Sequence, residues 1–165
     1  MSKVNVWVAV AVVVCVAGAG WVSAEQHGGD SQLTGQDYEQ IKELYSRYNQ
    51  GSDFRNADLF LSAFAEDAVM TRGGRDIVGM AALRAERVER YAGQTGDVGR
   101  RHHNGSFIIT PTADGAKGRA YYILLDVTTR PPTMTASGYY EDVFTRTSDG
   151  WRIKHRTLFS DGAAR

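Results

Sequence analysis

Cysteine is nearly absent from this chain of 165 residues, and neither sign of charge dominates. The only cysteine is Cys15, which excludes a disulfide scaffold and a zinc site made of cysteines. Lysine and arginine together number 19, as do aspartate and glutamate, so the formal net charge is zero. Nucleic-acid binding requires a basic face that displaces counterions from phosphates, and this balance therefore argues against a nucleic-acid partner.

Several motifs of nucleotide and acyl chemistry are also missing. The sequence contains no Walker A motif, no Gly-x-Gly-x-x-Gly after a strand and no Gly-x-Ser-x-Gly. Imidazole chemistry must come from four histidines: His27, His102, His103 and His155. His102 and His103 are neighbours on a predicted strand and point to opposite faces, so they cannot bind one metal ion together. We expect neither a metal nor a cofactor.

The N-terminus has the pattern of a secretory signal peptide. Residues 4–24 form an apolar run without a charged side chain, and Lys3 supplies a positive charge before it. Small residues occur at 23–24, where a signal peptidase would cut. We predict a signal peptide over residues 1–24 and a secreted or periplasmic protein. An uncleaved membrane anchor over residues 4–22 is the alternative, because about 19 apolar residues can also span a bilayer.

The rest of the chain fits one domain over residues 34–161, preceded by a polar linker at 25–33 and followed by a tail at 162–165. Thr34 and Asp37 have the spacing of a capping box. The following elements are predicted in order: a helix ending at Gly51-Ser52, a short helix capped by Asn56, a strand at 68–71, a tight turn at 72–75, a helix at 79–91, and strands at about 101–110, 117–129, 134–147 and 150–160. Helices followed by consecutive antiparallel strands indicate an α+β fold.

Three stretches carry a resemblance to a known family: Arg101-His102-His103-Asn104-Gly105-Ser106, Gly138-Tyr139-Tyr140-Glu141-Asp142 and Asp149-Gly150-Trp151. With their order and spacing, residues 34–161 resemble the SnoaL-like branch of the NTF2-like superfamily, which includes scytalone dehydratase and a dehydrochlorinase. The resemblance implies three N-terminal helices packed on a strongly curved antiparallel sheet. This sheet would form a cone with an internal pocket for a small apolar or aromatic molecule.

The resemblance also implies a catalytic pair. Lyases of this branch use an aspartate just after the first helix and a histidine that opens the first long strand, and Asp53 and His102 fall at these positions. A carboxylate that accepts a hydrogen bond from one imidazole nitrogen fixes the tautomer and makes the other nitrogen a better base. That nitrogen can remove a proton next to a carbonyl or halide. We therefore expect an exported, cofactor-free lyase or isomerase.

Other interpretations remain open. Asp53 can instead tie a loop and His102 can be a hydrogen-bonded core residue, in which case the protein is a non-catalytic binding or sensing module. A supporting subunit of a larger enzyme is a third. The lyase and the binding module differ in whether Asp53 reaches His102 in an open pocket or apolar side chains fill that volume.

Four further residues are expected to bind the ligand: Tyr45, Tyr48, Ser106 and Tyr140. Phenols can orient a polar ligand atom, although an amphipathic core position explains Tyr45 better. By the resemblance, Tyr140 falls where the family places a substrate-contacting residue. The second pocket histidine of scytalone dehydratase is not reproduced, since 125–127 is Leu-Asp-Val, and His155 is expected to be a packed, hydrogen-bonded residue.

The predicted strands are apolar on both faces, which indicates a partner. Period-two alternation places His102, Asn104, Ser106 and Ile108 on one face of the first long strand, and His103, Gly105, Phe107 and Ile109 on the other. Three short helices can cover only one face of the sheet. We therefore expect a homodimer through the outer face, with His103 on that face.

The signal peptide predicts a mature N-terminus at Glu25, because Ala24 ends the apolar run. Intact-mass measurement of the exported protein should give the mass of residues 25–165. An exported protein that still contains residues 1–24 would contradict cleavage and support the membrane anchor.

Overall fold

A computed structural model describes residues 32–162, and the predicted signal peptide lies outside these residues. No helix between residues 32 and 162 is long and apolar enough to cross a membrane. The elements are α1 (Gly35–Asp53), α2 (Ala57–Leu61), β1 (Phe64–Arg72), β2 (Arg75–Val78), α3 (Met80–Tyr91), β3 (Arg100–Thr112), β4 (Gly115–Asp126), β5 (Thr133–Thr147) and β6 (Gly150–Ser160). The α+β class with three N-terminal helices is confirmed.

The strands form one curved, unclosed sheet in the order β2-β1-β6-β5-β4-β3. From β3 to β6 each strand pairs antiparallel with the next, as expected. Strand β1 pairs with β6 in parallel and with β2 in an antiparallel hairpin. The β2 strand was not predicted, because three of its four residues are exposed and it has no apolar alternation to detect.

Helix α1 begins at the predicted capping box. The Thr34 hydroxyl accepts a hydrogen bond from the Asp37 main-chain N–H at 3.2 Å, and the Asp37 carboxylate accepts one from the Thr34 main-chain N–H at 2.9 Å. Asp37 also accepts from the Trp151 indole N–H at 2.9 Å, which ties the start of α1 to β6. Hydrogen bonds from Trp151 and Thr34 hold the pKa of Asp37 well below its usual range.

The predicted end of α1 at Gly51-Ser52 is wrong, because the helix continues to Asp53. Gly51 is a point of close approach rather than a stop. A Cβ atom at this position would lie 2.3 Å from the main-chain nitrogen of Phe60 in α2. Glycine is therefore required here for contact between the two helices, and the additional helical residue is Asp53.

The alternation expected along β3 is wrong beyond Gly105. The pairing of β3 with β4 shifts between Gly105 and Ile108, and Ser106 adopts a φ of +52° within this bulge. The bulge reverses which residues face inward, so Ile108 is 63% exposed whereas Ile109 is buried. Phe107 consequently packs against the core, on the same face as His102.

A fully buried ion pair lies at the centre of the inner face of the sheet. Arg156 in β6 donates to Asp142 in β5 from Nε and Nη2, at 2.7 and 2.8 Å. Its guanidinium lies 4.7, 4.4 and 4.2 Å from the ring centroids of Tyr45, Tyr48 and Tyr140. Burial alone would lower the pKa of Arg156, but the Asp142 carboxylate raises it above the ordinary arginine value.

Replacing Asp142 by asparagine should destabilise the fold by about 3–5 kcal/mol, because it leaves the Arg156 charge buried without a counter-charge. Urea denaturation monitored by circular dichroism measures this difference. The matched control is Glu141→Gln, which removes an exposed ion pair with Arg119 and should cost less than about 1 kcal/mol. Equal effects of the two substitutions would contradict the importance assigned to the buried pair.

Candidate active site

The last residue of α1 meets the first residues of β3 at a polar contact. Asp53 is 3% exposed, and its carboxylate accepts two hydrogen bonds from His102. One comes from the main-chain N–H to Oδ2 at 2.8 Å, and the other joins ring Nδ1 and Oδ1 at 2.5 Å. The structure thus brings together the two residues that the sequence analysis paired.

The contact with Asp53 fixes the tautomer of the His102 imidazole. The main-chain N–H can only donate, and a carboxylate can only accept, so the proton between the side chains belongs on Nδ1 of His102. Nε2 has no hydrogen-bond partner among residues 32–162. Because Asp53 holds His102 through both its ring and its main chain, Nε2 of the neutral imidazole is left in a fixed position with a free lone pair.

His102 lines an open cleft of about 600 Å³ between α1 and β3. Its walls combine aromatic side chains with polar and charged ones. They comprise Lys42, Tyr45, Ser46, Asn49, Gln50, Asp53, Phe54, Arg101, His102, His103, Asn104 and Phe107. The size and mixed lining are those of a small-molecule site.

The positive charge at one end of the cleft is that of Arg101, which is paired with an aspartate. Arg101 binds Asp97 through two hydrogen bonds of 2.8 and 2.6 Å, and its guanidinium lies 5.2 Å from the centre of the Phe54 ring. These bonds from Arg101, with one from the Gly99 main-chain N–H, lower the pKa of Asp97 to about 2. Asp97 and Phe54 therefore hold the Arg101 side chain at this end of the cleft.

All three predicted tyrosines are buried, with Tyr45 only 1% exposed. Tyr45 lines the cleft, and its edge contacts Phe107 with ring centroids 5.1 Å apart. Tyr48 and Tyr140 lie behind it, 3% and 1% exposed, and pack on Arg156. Burial raises the pKa of both Tyr45 and Tyr140 far above the usual value, with a further contribution to Tyr45 from the Asp142 charge, so both phenols stay protonated.

The structure does not bring Ser106 to the cleft. It is exposed in the β3 bulge and is not among the lining residues. His103 was predicted on the opposite face from His102; it is exposed on the strand, and it is also among the residues that line the cleft. His155 is half-buried and its Nε2 lies 3.0 Å from the Thr71 hydroxyl.

Two asparagines of the cleft were missed by the sequence analysis. Asn49 donates from Nδ2 to Oδ1 of Asn104 at 2.5 Å, next to the contact between Asp53 and His102. The signal was present in the spacing, because Asn49 precedes Asp53 by four residues on a helix and Asn104 follows His102 by two on a strand. Between residues 32 and 162 there is no cluster of three histidine, cysteine or acidic residues that could hold a metal ion.

Comparison with known proteins places this geometry in a family. The family model of the SnoaL-like domain matches residues 34–157. This chain belongs to the SnoaL-like domain family. The match covers the helices, the sheet and both sides of the cleft, and it confirms the resemblance drawn from the sequence.

Solved structures share the fold of this SnoaL-like domain. A protein of unknown function with a cystatin-like fold from Nostoc punctiforme is 21% identical, with a TM-score of 0.71 over 80% of this chain and 96% of that one. An NTF2-like protein from Novosphingobium aromaticivorans is 25% identical, with a TM-score of 0.64 over 78% and 85%. A candidate scytalone dehydratase from the same organism is 19% identical, with a TM-score of 0.62 over 79% and 90%. No curated protein matches the chain by sequence.

Proposed function

We propose that this SnoaL-like protein is a cofactor-free lyase or isomerase in which His102 is the general base and Asp53 orients it. The observation that supports this most is the double hydrogen bond from His102 to the Asp53 carboxylate. Here the ring and the main chain are both held, and the free nitrogen belongs to a side chain that lines a cleft.

The chemistry requires only a proton transfer. Nε2 of His102 takes a proton from a carbon next to a carbonyl, and the electron pair of that C–H bond forms an enolate. In a lyase the pair then makes a carbon–carbon double bond and expels a leaving group on the next carbon. The His102 imidazolium returns its proton to that group, or, in an isomerase, to a different carbon. Asp53 stabilises the imidazolium throughout.

The cleft favours a small molecule with an aromatic or apolar body. Tyr45, Phe54 and Phe107 supply aromatic surface beside His102. The interior of the curved sheet, in contrast, is occupied by Tyr48, Tyr140 and the buried Arg156. A ligand is therefore expected at the edge between α1 and β3, and Tyr48 and Tyr140 act as support for Tyr45.

A non-catalytic binding module is the second candidate. The observation that favours it is the filled interior, because a reaction centre is usually enclosed from water whereas this cleft is open. The two functions separate on one property, which is whether His102 moves a proton of the bound molecule.

Proton exchange at carbon tests the proposal. In D2O the protein should accelerate deuterium incorporation next to the carbonyl of 1-indanone, followed by proton NMR. Asp53→Asn should reduce this acceleration by about 10²–10⁴-fold. The amide oxygen must still accept from the His102 main-chain N–H, so the amide NH2 faces Nδ1 and the ring takes the tautomer with its proton on Nε2.

The control is Asp149→Asn, the same substitution at an exposed aspartate in the turn between β5 and β6, which should change the rate less than twofold. Nitrogen-15 shifts of the ring nitrogens should show the tautomer change at His102 only. Absence of exchange in the wild-type protein would leave the binding module. Equal loss in both variants would contradict the role of His102.

We also propose that the protein is an exported homodimer that associates through the outer face of the sheet. Tyr121, Tyr139 and Phe159 are paired across β4, β5 and β6 on that face, and the last two stack at 4.6 Å. Tyr121 and Ile108 are 58% and 63% exposed. Such an apolar stripe on a central part of a sheet favours burial against a second copy.

Val143→Glu should convert the dimer to a monomer, because Val143 lies beside Ile108 in a groove of the outer face. Light scattering at micromolar concentration measures the mass. The matched control is Val88→Glu on α3, a valine that is 61% exposed away from the sheet, and it should leave the dimer intact. A wild-type monomer, or dissociation by both substitutions, would contradict this interface.

A further inference from the structure

Asn49 and Asn104 form a second contact between α1 and β3, beside that of Asp53 and His102. One turn of helix separates Asn49 from Asp53, and Asn104 lies two positions after His102 on the strand. Both separations are about 6 Å, so the contact between Asn49 and Asn104 lies directly beside that between Asp53 and His102. All four residues line the same cleft.

A main-chain carbonyl fixes the orientation of both amides. Nδ2 of Asn104 donates to the carbonyl oxygen of Tyr121 at 3.1 Å, and since a carbonyl only accepts, the amide nitrogen must face it. Oδ1 of Asn104 therefore faces Asn49, which must present its own Nδ2. The Oδ1 atom of Asn49 is consequently turned to the other side.

Oδ1 of Asn49 is buried and has no hydrogen-bond partner among residues 32–162. The residue as a whole is 8% exposed, so little solvent reaches it. Buried carbonyl oxygens are nearly always paired, and Asn49 is among the residues that line the cleft, so a ligand bound there can supply the donor that this oxygen lacks.

We propose that Asn49 is a specificity-determining residue that selects ligands with an O–H or N–H group. The donor would bind Oδ1 of Asn49 while the body of the ligand lies against Phe107 and Tyr45. The two contacts are about 6 Å apart. The donor of the ligand is therefore expected at a distance of about one aromatic ring from the ligand carbon that faces His102. The position of that carbon rests on the proposed function, whereas the preference for a donor does not.

Indole and benzofuran test the preference, since they have the same shape and only indole carries a donor. Titration followed by NMR should show indole binding to the wild-type protein about tenfold more tightly than benzofuran. The side-chain amide signals of Asn49 should shift on addition of indole. A water molecule alone on Oδ1 would instead give equal affinities and unshifted amide signals, and this result would overturn the proposal.

Variants separate this proposal from the catalytic one. Asn49→Leu should reduce the preference for indole to less than twofold, whereas Gln36→Leu, at an exposed amide on the same helix, should retain it. Asp53→Asn should keep the preference while losing proton exchange. A preference that survives in folded Asn49→Leu, or no binding of indole at millimolar concentration, would overturn the proposal. If Asn49→Leu does not fold, the wild-type affinities and amide shifts decide.

Discussion

The ion pair between Arg156 and Asp142 is the interaction on which the interior of this protein depends. Two opposite charges with no exposed surface join β5 to β6, and three tyrosine rings from α1 and β5 pack on the guanidinium. Such a pair is costly to desolvate and is tolerated only with good geometry and close packing. Its presence fills the concave side of the sheet. The space that remains for a ligand is the cleft at the edge, between α1 and β3.

The cleft in turn depends on the match between a helix and a strand. A helical turn and two strand residues rise by nearly the same distance, so Asn49 and Asp53 on α1 can face Asn104 and His102 on β3. The helix reaches that far because Gly51 lets it run past the point where α2 crosses close to it. The absence of a side chain at Gly51 thus helps to determine where the Asp53 carboxylate lies.

Membership in the SnoaL-like family establishes the fold, and the fold supports many functions. What distinguishes this chain is the chemistry placed on it. It has one oriented imidazole, one free amide acceptor, aromatic walls and, within residues 32–162, no cluster that could hold a metal. These features suit reactions in which a single base moves one proton of a small molecule, and they would equally orient a ligand that is only bound.

The sequence by itself determined the class of the fold and the pairing of Asp53 with His102. Capping residues such as Thr34 and Asn56 act on their own neighbours, and turn residues separate the long strands, so local chemistry was enough to order the elements. Asp53 and His102 were paired through the resemblance to the family. Tertiary structure alone decided the β3 bulge, which reversed the faces after Gly105, and the parallel pairing of β1 with β6. It also decided that Tyr48 and Tyr140 pack on Arg156, because the partner of a buried charge lies far away in sequence and no local pattern records it.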